Sequence, residues 1–321
     1  MKKLIALIFT ISLLLSLFAC TPNESTTKIN VGYLAGPTGM GMAKLIHDNG
    51  GVDGNDKYSF TKFAGEAPVQ LARAALANKT ADVVCLPTDN AATFAAQDSS
   101  LIVLSVNTLG SVYLIAKTDI DSIENLEGKT IHTCISGTPK KIIEYILEES
   151  GVNATVSTEY NGNALPSPDS LKTVLADSGC TIEFAVAPEP IVTQVTSQNN
   201  SYKVELNLNT VWNGLSDTAL TMGCIVSTKE FVKNNKKAVD DFLNEYKASI
   251  EFVNAQENVD AAAEYIVEAG VMGQVGPAKK ALNNLRGSIA YLDGADMKAA
   301  LIGFYNAIGV ALPDEGFYYA K

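Results

Sequence analysis

The sequence predicts an α/β protein built from two doubly wound α/β lobes, with a set of helices at the C-terminus. Three observations carry this reading. Apolar runs of strand length alternate with amphipathic helical stripes from Lys28 onward. The alternation runs β-α-β-α-β-α-β as far as Val106 and starts afresh at Ser111. From Phe231 onward the spacing is helical.

In chain order, Lys28–Leu34 reads as a strand. A Gly-rich turn then feeds a helix to about Asp48, stopped by Gly50 and Gly51. Tyr58–Phe63 is a second strand, and Pro68 opens a helix with Val69, Ala72 and Leu76 on one face. Ala81–Leu86 is apolar throughout, as a strand buried on both faces should be. A short helix over Asn90–Gln97 and a strand over Leu101–Val106 complete the first unit. The second unit has strands at Ser111–Lys117 and Lys129–Cys134. Thr138 is placed to cap a helix with Pro139 at its first position. Ile142, Ile143, Ile146 and Leu147 form its buried stripe, and Gly151 ends it. Thr155–Tyr160 and Glu183–Ala187 are further strands around a helix at Asp169–Asp177, and Leu220–Ser227 returns as a strand. Phe231, Val239, Phe242, Leu243, Tyr246, Ile250 and Val253 make one long core stripe. Helices follow near Val259–Ala269, Pro277–Gly287 and Asp296–Ile308.

The N-terminus has the layout of a secretory signal over 1–19: Lys2 and Lys3, an apolar stretch from Leu4 to Phe18, then Ala19. That stretch is short of the roughly 20 apolar residues that a membrane helix needs. Leu17, Ala19 and Cys20 resemble a bacterial lipobox with Cys20 as the lipidated residue. Residues 20–27 are polar and read as a flexible tether. The expected location is the outer face of a bacterial cytoplasmic membrane, held there by the lipid alone.

The formal charge of the chain is −11, and loss of Lys2 and Lys3 makes it more negative. An acidic body argues against a nucleic-acid partner, whose phosphates require a basic footprint. It says little about a small ligand, because only local charge matters in a pocket. Cys85, Cys134, Cys180 and Cys224 form no CxxC pair and read as buried thiols, with a Cys134–Cys180 bridge left open.

Ligands of open α/β sheets sit at the carboxyl ends of the strands. The loops there supply the candidate binding residues. The first holds Gly36, Pro37, Thr38, Gly39 and Met40, the second Glu66 and Pro68, and the third Thr88, Asp89 and Asn90. Gly110 and Ser111 follow, then Ser136, Gly137 and Thr138, then Glu189. The loops at Gly36 and Ser136 run straight into helices, whose free N–H groups and dipole suit an oxyanion. Asp89 and Glu189 either meet a ligand bearing N–H donors or bond their own loops. Trp212 and Asn213 read either as cleft residues or, for Trp212, as core. Lys140 and Lys141 either draw an anion to the cleft mouth or form a solvated face.

Several chemistries are excluded. Gly36 to Gly41 is followed by Met42 and Ala43 where a phosphate loop needs Lys and Ser/Thr, and its glycine spacing does not fit a dinucleotide fingerprint. There is no G-x-S-x-G elbow. His47 reads as a polar or capping residue and His132 as a core histidine; two distant histidines make no metal cluster. Catalytic residues, metal and cofactor are therefore not expected.

The order of several motifs resembles the substrate-binding lipoproteins of ABC importers of the nitrate/sulfonate/taurine class, which share a fold with proteins of thiamine-pyrimidine synthesis. The carriers are Gly32-Tyr33-Leu34-Ala35-Gly36-Pro37-Thr38-Gly39, Gly65-Glu66-Ala67-Pro68 with Leu71 to Asp82, and Ile123 to Ile131. Gly137-Thr138-Pro139, Ala187-Pro188-Glu189-Pro190 and Phe231 to Leu243 complete the set. The resemblance implies a periplasmic-binding-protein type II fold, with two lobes joined by crossover strands near Ser111–Lys117 and Leu220–Ser227. Lobe I would be 28–110 with 220–321, and lobe II 111–219. It also implies a ligand that closes the lobes by hinge motion. The cysteine-rich motif of the pyrimidine-forming members is missing.

The combined expectation is a lipid-anchored, monomeric solute-binding protein that captures a small molecule in an interlobe cleft for a permease and its ATPase. The helix caps favour a sulfonate or carboxylate; Asp89 and Glu189 favour a pyrimidine-like heterocycle; both stay open. An extracellular enzyme on the same lobes would need a paired acid and base, and a ligand sensor would dock to a receptor instead.

Overall fold

The computed structural model describes residues 27–65, 67–135 and 137–320. The signal segment, Cys20, most of the tether, Glu66 and Ser136 lie outside the described residues. The chain begins β1 (Ile29–Leu34), α1 (Pro37–Met40), α2 (Ala43–Asp48), β2 (Tyr58–Phe63), α3 (Pro68–Ala77), β3 (Val83–Pro87), α4 (Thr88–Ala95) and β4 (Leu101–Leu109). It continues with β5 (Val112–Ala116), β6 (Thr130–His132), α5 (Pro139–Ser150), β7 (Thr155–Ser157), β8 (Glu159–Tyr160) and β9 (Asn163–Ala164). Then come α6 (Pro168–Ala176), β10 (Phe184–Pro188), α7 (Ile191–Gln198), β11 (Lys203–Asn207), α8 (Leu208–Leu215) and β12 (Thr221–Thr228). The C-terminal part holds α9 (Lys229–Asn234), α10 (Lys236–Asn254), α11 (Val259–Glu268), α12 (Val275–Asn284), β13 (Ile289–Leu292) and α13 (Gly294–Ala307).

Two mixed sheets carry the fold, with helices packed around them. The first has strand order β13-β4-β12-β3-β1-β2, the second β11-β5-β10-β6-β7. In the first, β1 runs parallel to β2 and β3, while β12 runs antiparallel between β3 and β4. In the second, β10, β6 and β7 are parallel, and β5 is antiparallel to β10 and β11. The chain leaves the first sheet at Leu109, enters the second at Val112, and returns from Asn207 through α8 to Thr221. The two crossings fall at the starts of the expected crossover stretches, after which β5 lies in the second sheet and β12 in the first.

Period-2 alternation divides the core. In β5, Val112, Leu114 and Ala116 join the main hydrophobic cluster, while Tyr113 and Ile115 face a smaller one with Cys134, Leu171 and Val195. β10 splits the same way, with Phe184 and Val186 on one side and Ala185 and Ala187 on the other. The helix α5 forms as its sequence dictates: Pro139 at the start, a buried stripe through Ile142, Ile143, Ile146 and Leu147, and Gly151 at φ 68° past the end.

Local structure departs from expectation in several places. The Phe231 stripe is broken at Asn235 into α9 and α10, and the Thr228 hydroxyl caps α9 by accepting from Phe231 N–H at 3.2 Å. The first helix is likewise two short ones, and Thr155–Tyr160 divides into β7 and the small β8–β9 hairpin. The strand β4 runs three residues further than Val106. None of the four described cysteines is in a disulfide and all are buried, so Cys134 and Cys180 are not bridged. Among the described residues, no helix is long and apolar enough to cross a membrane.

Candidate functional site

The carboxyl ends of β1, β3, β4 and β10 converge on one cavity of about 170 Å³. Leu34, Ala35, Pro37 and Thr38 enter it from the end of β1 and from α1. Pro87 and Thr108 come from β3 and β4, and Met222 from the start of the antiparallel β12. From the second sheet come Ser111, the α5 start (Gly137, Thr138, Pro139), Pro168 at the start of α6, and Pro188 with Glu189 at the end of β10. Five prolines make this wall stiff and poor in N–H donors. The polar lining residues Thr38, Thr108, Ser111, Thr138 and Glu189 are all buried.

Behind the cavity, Thr38, Asn107 and Thr108 close over Gly223. A Cβ there would stand 2.5 Å from Thr38 Cγ2, 2.6 Å from Asn107 Oδ1 and 3.0 Å from Thr108 Oγ1. Only a residue without a side chain permits that approach. The Thr108 hydroxyl donates to Asn107 Oδ1 at 3.1 Å, and the Asn107 amide donates to Cys85 Sγ at 3.8 Å. Burial pushes the Cys85 thiol up to about 12, so it stays neutral.

Glu189 is the one charged side chain in the lining among the described residues. Its carboxylate accepts from Thr193 N–H at 3.1 Å, the Thr193 hydroxyl at 2.9 Å and Asn284 Nδ2 at 2.7 Å. Burial raises its pKa, and the bonds from Asn284 and Thr193 oppose the rise. The Asn284 bond also ties the second sheet to α12, and Tyr113 Oη donates to the Asn284 carbonyl at 2.7 Å.

The cavity therefore brings together Pro37, Thr38, Ser111, Gly137, Thr138 and Glu189 from the sequence-derived set. Other members lie just outside it. Gly36, at φ 100°, lets the turn pass beside Glu189 O and Pro190 Cδ, each 3.7 Å from where a Cβ would be. Gly39 and Met40 are buried within α1, and Gly110 packs directly on Asn209. The Thr88 hydroxyl donates to Thr221 O at 2.9 Å. Asp89 is buried and bonded to Lys141 Nζ at 3.2 Å, which gives that lysine a partner across the two sheets. Lys140 pairs with Glu144 at 3.6 Å. Pro68 and Asn90 are half-buried on α3 and α4, and Asn213 is exposed on α8; none of the three lines the cavity. Trp212 is core: its ring packs on Tyr145 and Phe304, and Nε1 donates to Thr218 O at 2.7 Å.

Thr138 does not cap α5 with its side chain. Its backbone is already helical (φ −78°, ψ −20°), which turns the hydroxyl away from the N–H groups a cap would meet, and Oγ1 donates to Met222 Sδ at 3.9 Å. The candidate set left out Leu34, Ala35, Pro87, Thr108, Pro139, Pro168, Pro188 and Met222, all of which line the cavity. The prolines stand at strand ends or helix starts and were legible as punctuation; Thr108 and Met222 depend on the pairing of β4 with β12, which leaves no local signal.

Among the described residues, no group of three or more His, Cys, Asp or Glu is placed to hold a metal ion. The cavity holds no paired base and nucleophile among them. What it can do is enclose a small molecule between two sheets.

A family model described as NMT1/THI5 like matches residues 66–258. In three dimensions the chain is similar to an ABC transporter from Parabacteroides distasonis, at 21% identity over 92% of this chain and 99% of that one, with a TM-score of 0.71. It is also similar to the periplasmic aliphatic sulphonate binding protein SsuA of Escherichia coli (14% identity, 92% and 93% covered, TM-score 0.69). A third is the alkanesulfonate-binding protein SsuA of Xanthomonas axonopodis pv. citri bound to MOPS (14% identity, 92% and 97% covered, TM-score 0.64). At these identities the likeness shows a shared fold. No curated protein matches the chain by sequence.

Proposed function

The chain belongs to the NMT1/THI5-like family, and on that premise we propose that it is the solute-binding component of an ABC import system. It captures a small molecule in the cavity and hands it to a permease driven by its ATPase, without changing it chemically. The observation that carries this reading is the cavity itself. It is walled by strand ends of both sheets, so a ligand there touches both at once and favours their closed arrangement. The sulfonate-binding neighbours of the same fold support it.

On this reading the lobes divide as 28–110 with 220–321 and 111–219, in keeping with the strand content of the two sheets. The protein works as a monomer outside the cytoplasm, anchored by a lipid on Cys20. Leu17, Ala19 and Cys20 support the anchor. The test is native mass spectrometry of the full chain purified gently in detergent, followed by denaturation. A stoichiometric small molecule released unchanged is the expected result; turnover of that molecule would refute the binding role. Mass analysis of the N-terminal peptide tests the anchor, and an unmodified Cys20 would remove it.

A further inference from the structure

An anion buried in a protein needs a cation or a cluster of free N–H donors to replace its lost water. Among the described residues, the lining has no lysine, arginine or histidine, and its one charge is the Glu189 carboxylate. Lys141, at the third position of α5, is turned to Asp89. Three helices open at the cavity, α1, α5 and α6, and each has proline at its first position, where the N–H is missing. In α1 the N–H groups of Gly39 and Met40 are already taken by the Gly36 carbonyl, at 3.0 and 2.9 Å. In α6 the Ser170 N–H is taken by the Ser167 hydroxyl at 3.2 Å.

Two of the four described lining hydroxyls point the same way. Each carries one proton and two lone pairs. Thr108 gives its proton to Asn107 Oδ1 and Thr138 gives its proton to Met222 Sδ, so both oxygens offer the cavity lone pairs. Asn107 is fully buried and its amide nitrogen faces Cys85, which fixes Oδ1 toward Thr108. Thr108, Thr138 and Glu189 thus offer acceptors to the cavity, and no cationic side chain faces them in the lining among the described residues.

We propose that the ligand of this cavity is a small molecule bearing N–H or O–H donors and no negative charge, and that Asn107 is the positioning residue that makes Thr108 an acceptor. This rests on the binding role proposed above. It sets the chain apart from the sulfonate binders that share its fold. At about 170 Å³ the cavity is below the roughly 300 Å³ at which pockets for drug-sized ligands begin, so the ligand is fragment-sized.

The test uses matched probes on the full chain in detergent: methanesulfonamide against methanesulfonate, nicotinamide against nicotinate, and nitrate alone. Thermal stabilisation and calorimetry are the readouts, with the charge of any co-purified molecule read by mass spectrometry. The expected result is at least tenfold tighter binding of an amide than of its acid, and a co-purified molecule that is neutral or cationic. Binding of an acid or nitrate as tightly as the amide overturns the inference while leaving the binding role standing. An empty protein that no probe stabilises removes the binding role, and this inference with it. Thr108→Val keeps the shape and deletes the acceptor; it should weaken amide binding about 2- to 10-fold, the worth of one hydrogen bond. Asn107→Leu frees the Thr108 proton and should shrink the amide-to-acid preference. A purely structural role for Asn107 would weaken both partners of each pair alike.

Discussion

Substituting Gly223 by alanine separates a packing glycine from one that shapes a binding site. Gly223 lies in β12, opposite Pro87 on one side and Thr108 on the other. The new methyl would stand 2.5 Å from Thr38 Cγ2 and 2.6 Å from Asn107 Oδ1. Ordinary contact needs about an ångström more, and both neighbours are held in a close-packed layer. Overpacking of this kind costs about 1–3 kcal/mol. Because the neighbours that must yield are Thr38 and the Asn107–Thr108 pair, the change should also lower affinity for the ligand by more than tenfold. The assay is denaturant unfolding in parallel with a binding titration. Gly214→Ala in α8 is the control: nothing lies within 4 Å of its Cβ position, so it should be neutral or stabilising by up to about 1 kcal/mol. Wild-type stability and affinity in Gly223→Ala would refute the reasoning. Lost stability with unchanged affinity would show that the floor over Gly223 holds the fold and not the ligand.

Four further outcomes are expected. Asn284→Ala removes the 2.7 Å donor to buried Glu189 and should cost about 1–3 kcal/mol at neutral pH. Burial already holds the Glu189 pKa above its usual value, so its charge opposes folding as pH rises; the deficit of the variant should therefore narrow in unfolding curves taken as pH falls toward the usual carboxylate range, and an unchanged deficit would count against it. Burial lowers the His132 pKa, so as pH falls through the usual histidine range the unfolded chain takes up the proton first and stability drops; His132→Gln should lack that drop, and parallel pH profiles would contradict the assignment. Lys141→Met strands the Asp89 carboxylate in a buried site, but Lys141 is itself 39% exposed, so about 1–2 kcal/mol is expected in thermal or denaturant unfolding in place of the larger cost of a fully buried pair. A thiol reagent should label no cysteine of the native protein and four in denaturant, with Cys20 blocked; a fifth labelled thiol would mean no lipid on Cys20.

Much of the fold was legible because its elements carry local marks. Pro68, Pro139 and Gly151 stand at helix ends, and Val83, Val84, Cys85 and Leu86 make an unbroken apolar strand. What was not legible is non-local or hidden by polarity. The place of β12 between β3 and β4 is set by long-range pairing, so the meeting of Met222, Thr108 and Thr38 has no signature in any window of sequence. The helix α8 is masked by Asn209, Asn213 and Gly214, all weak helix formers, and forms because Asn207 caps it and Trp212 is buried against Tyr145 and Phe304. The end of β4 is masked in the same way. Ser105, Asn107 and Thr108 break its apolar run, yet all three are buried. A strand that buries amides and hydroxyls where aliphatic side chains would pack better gives up stability at those positions. Such a local conflict points to a site under some other demand. Two of these three residues form the floor over Gly223, so the place where the strand pattern fails in the sequence is also where the cavity acquires its hydrogen-bonding character.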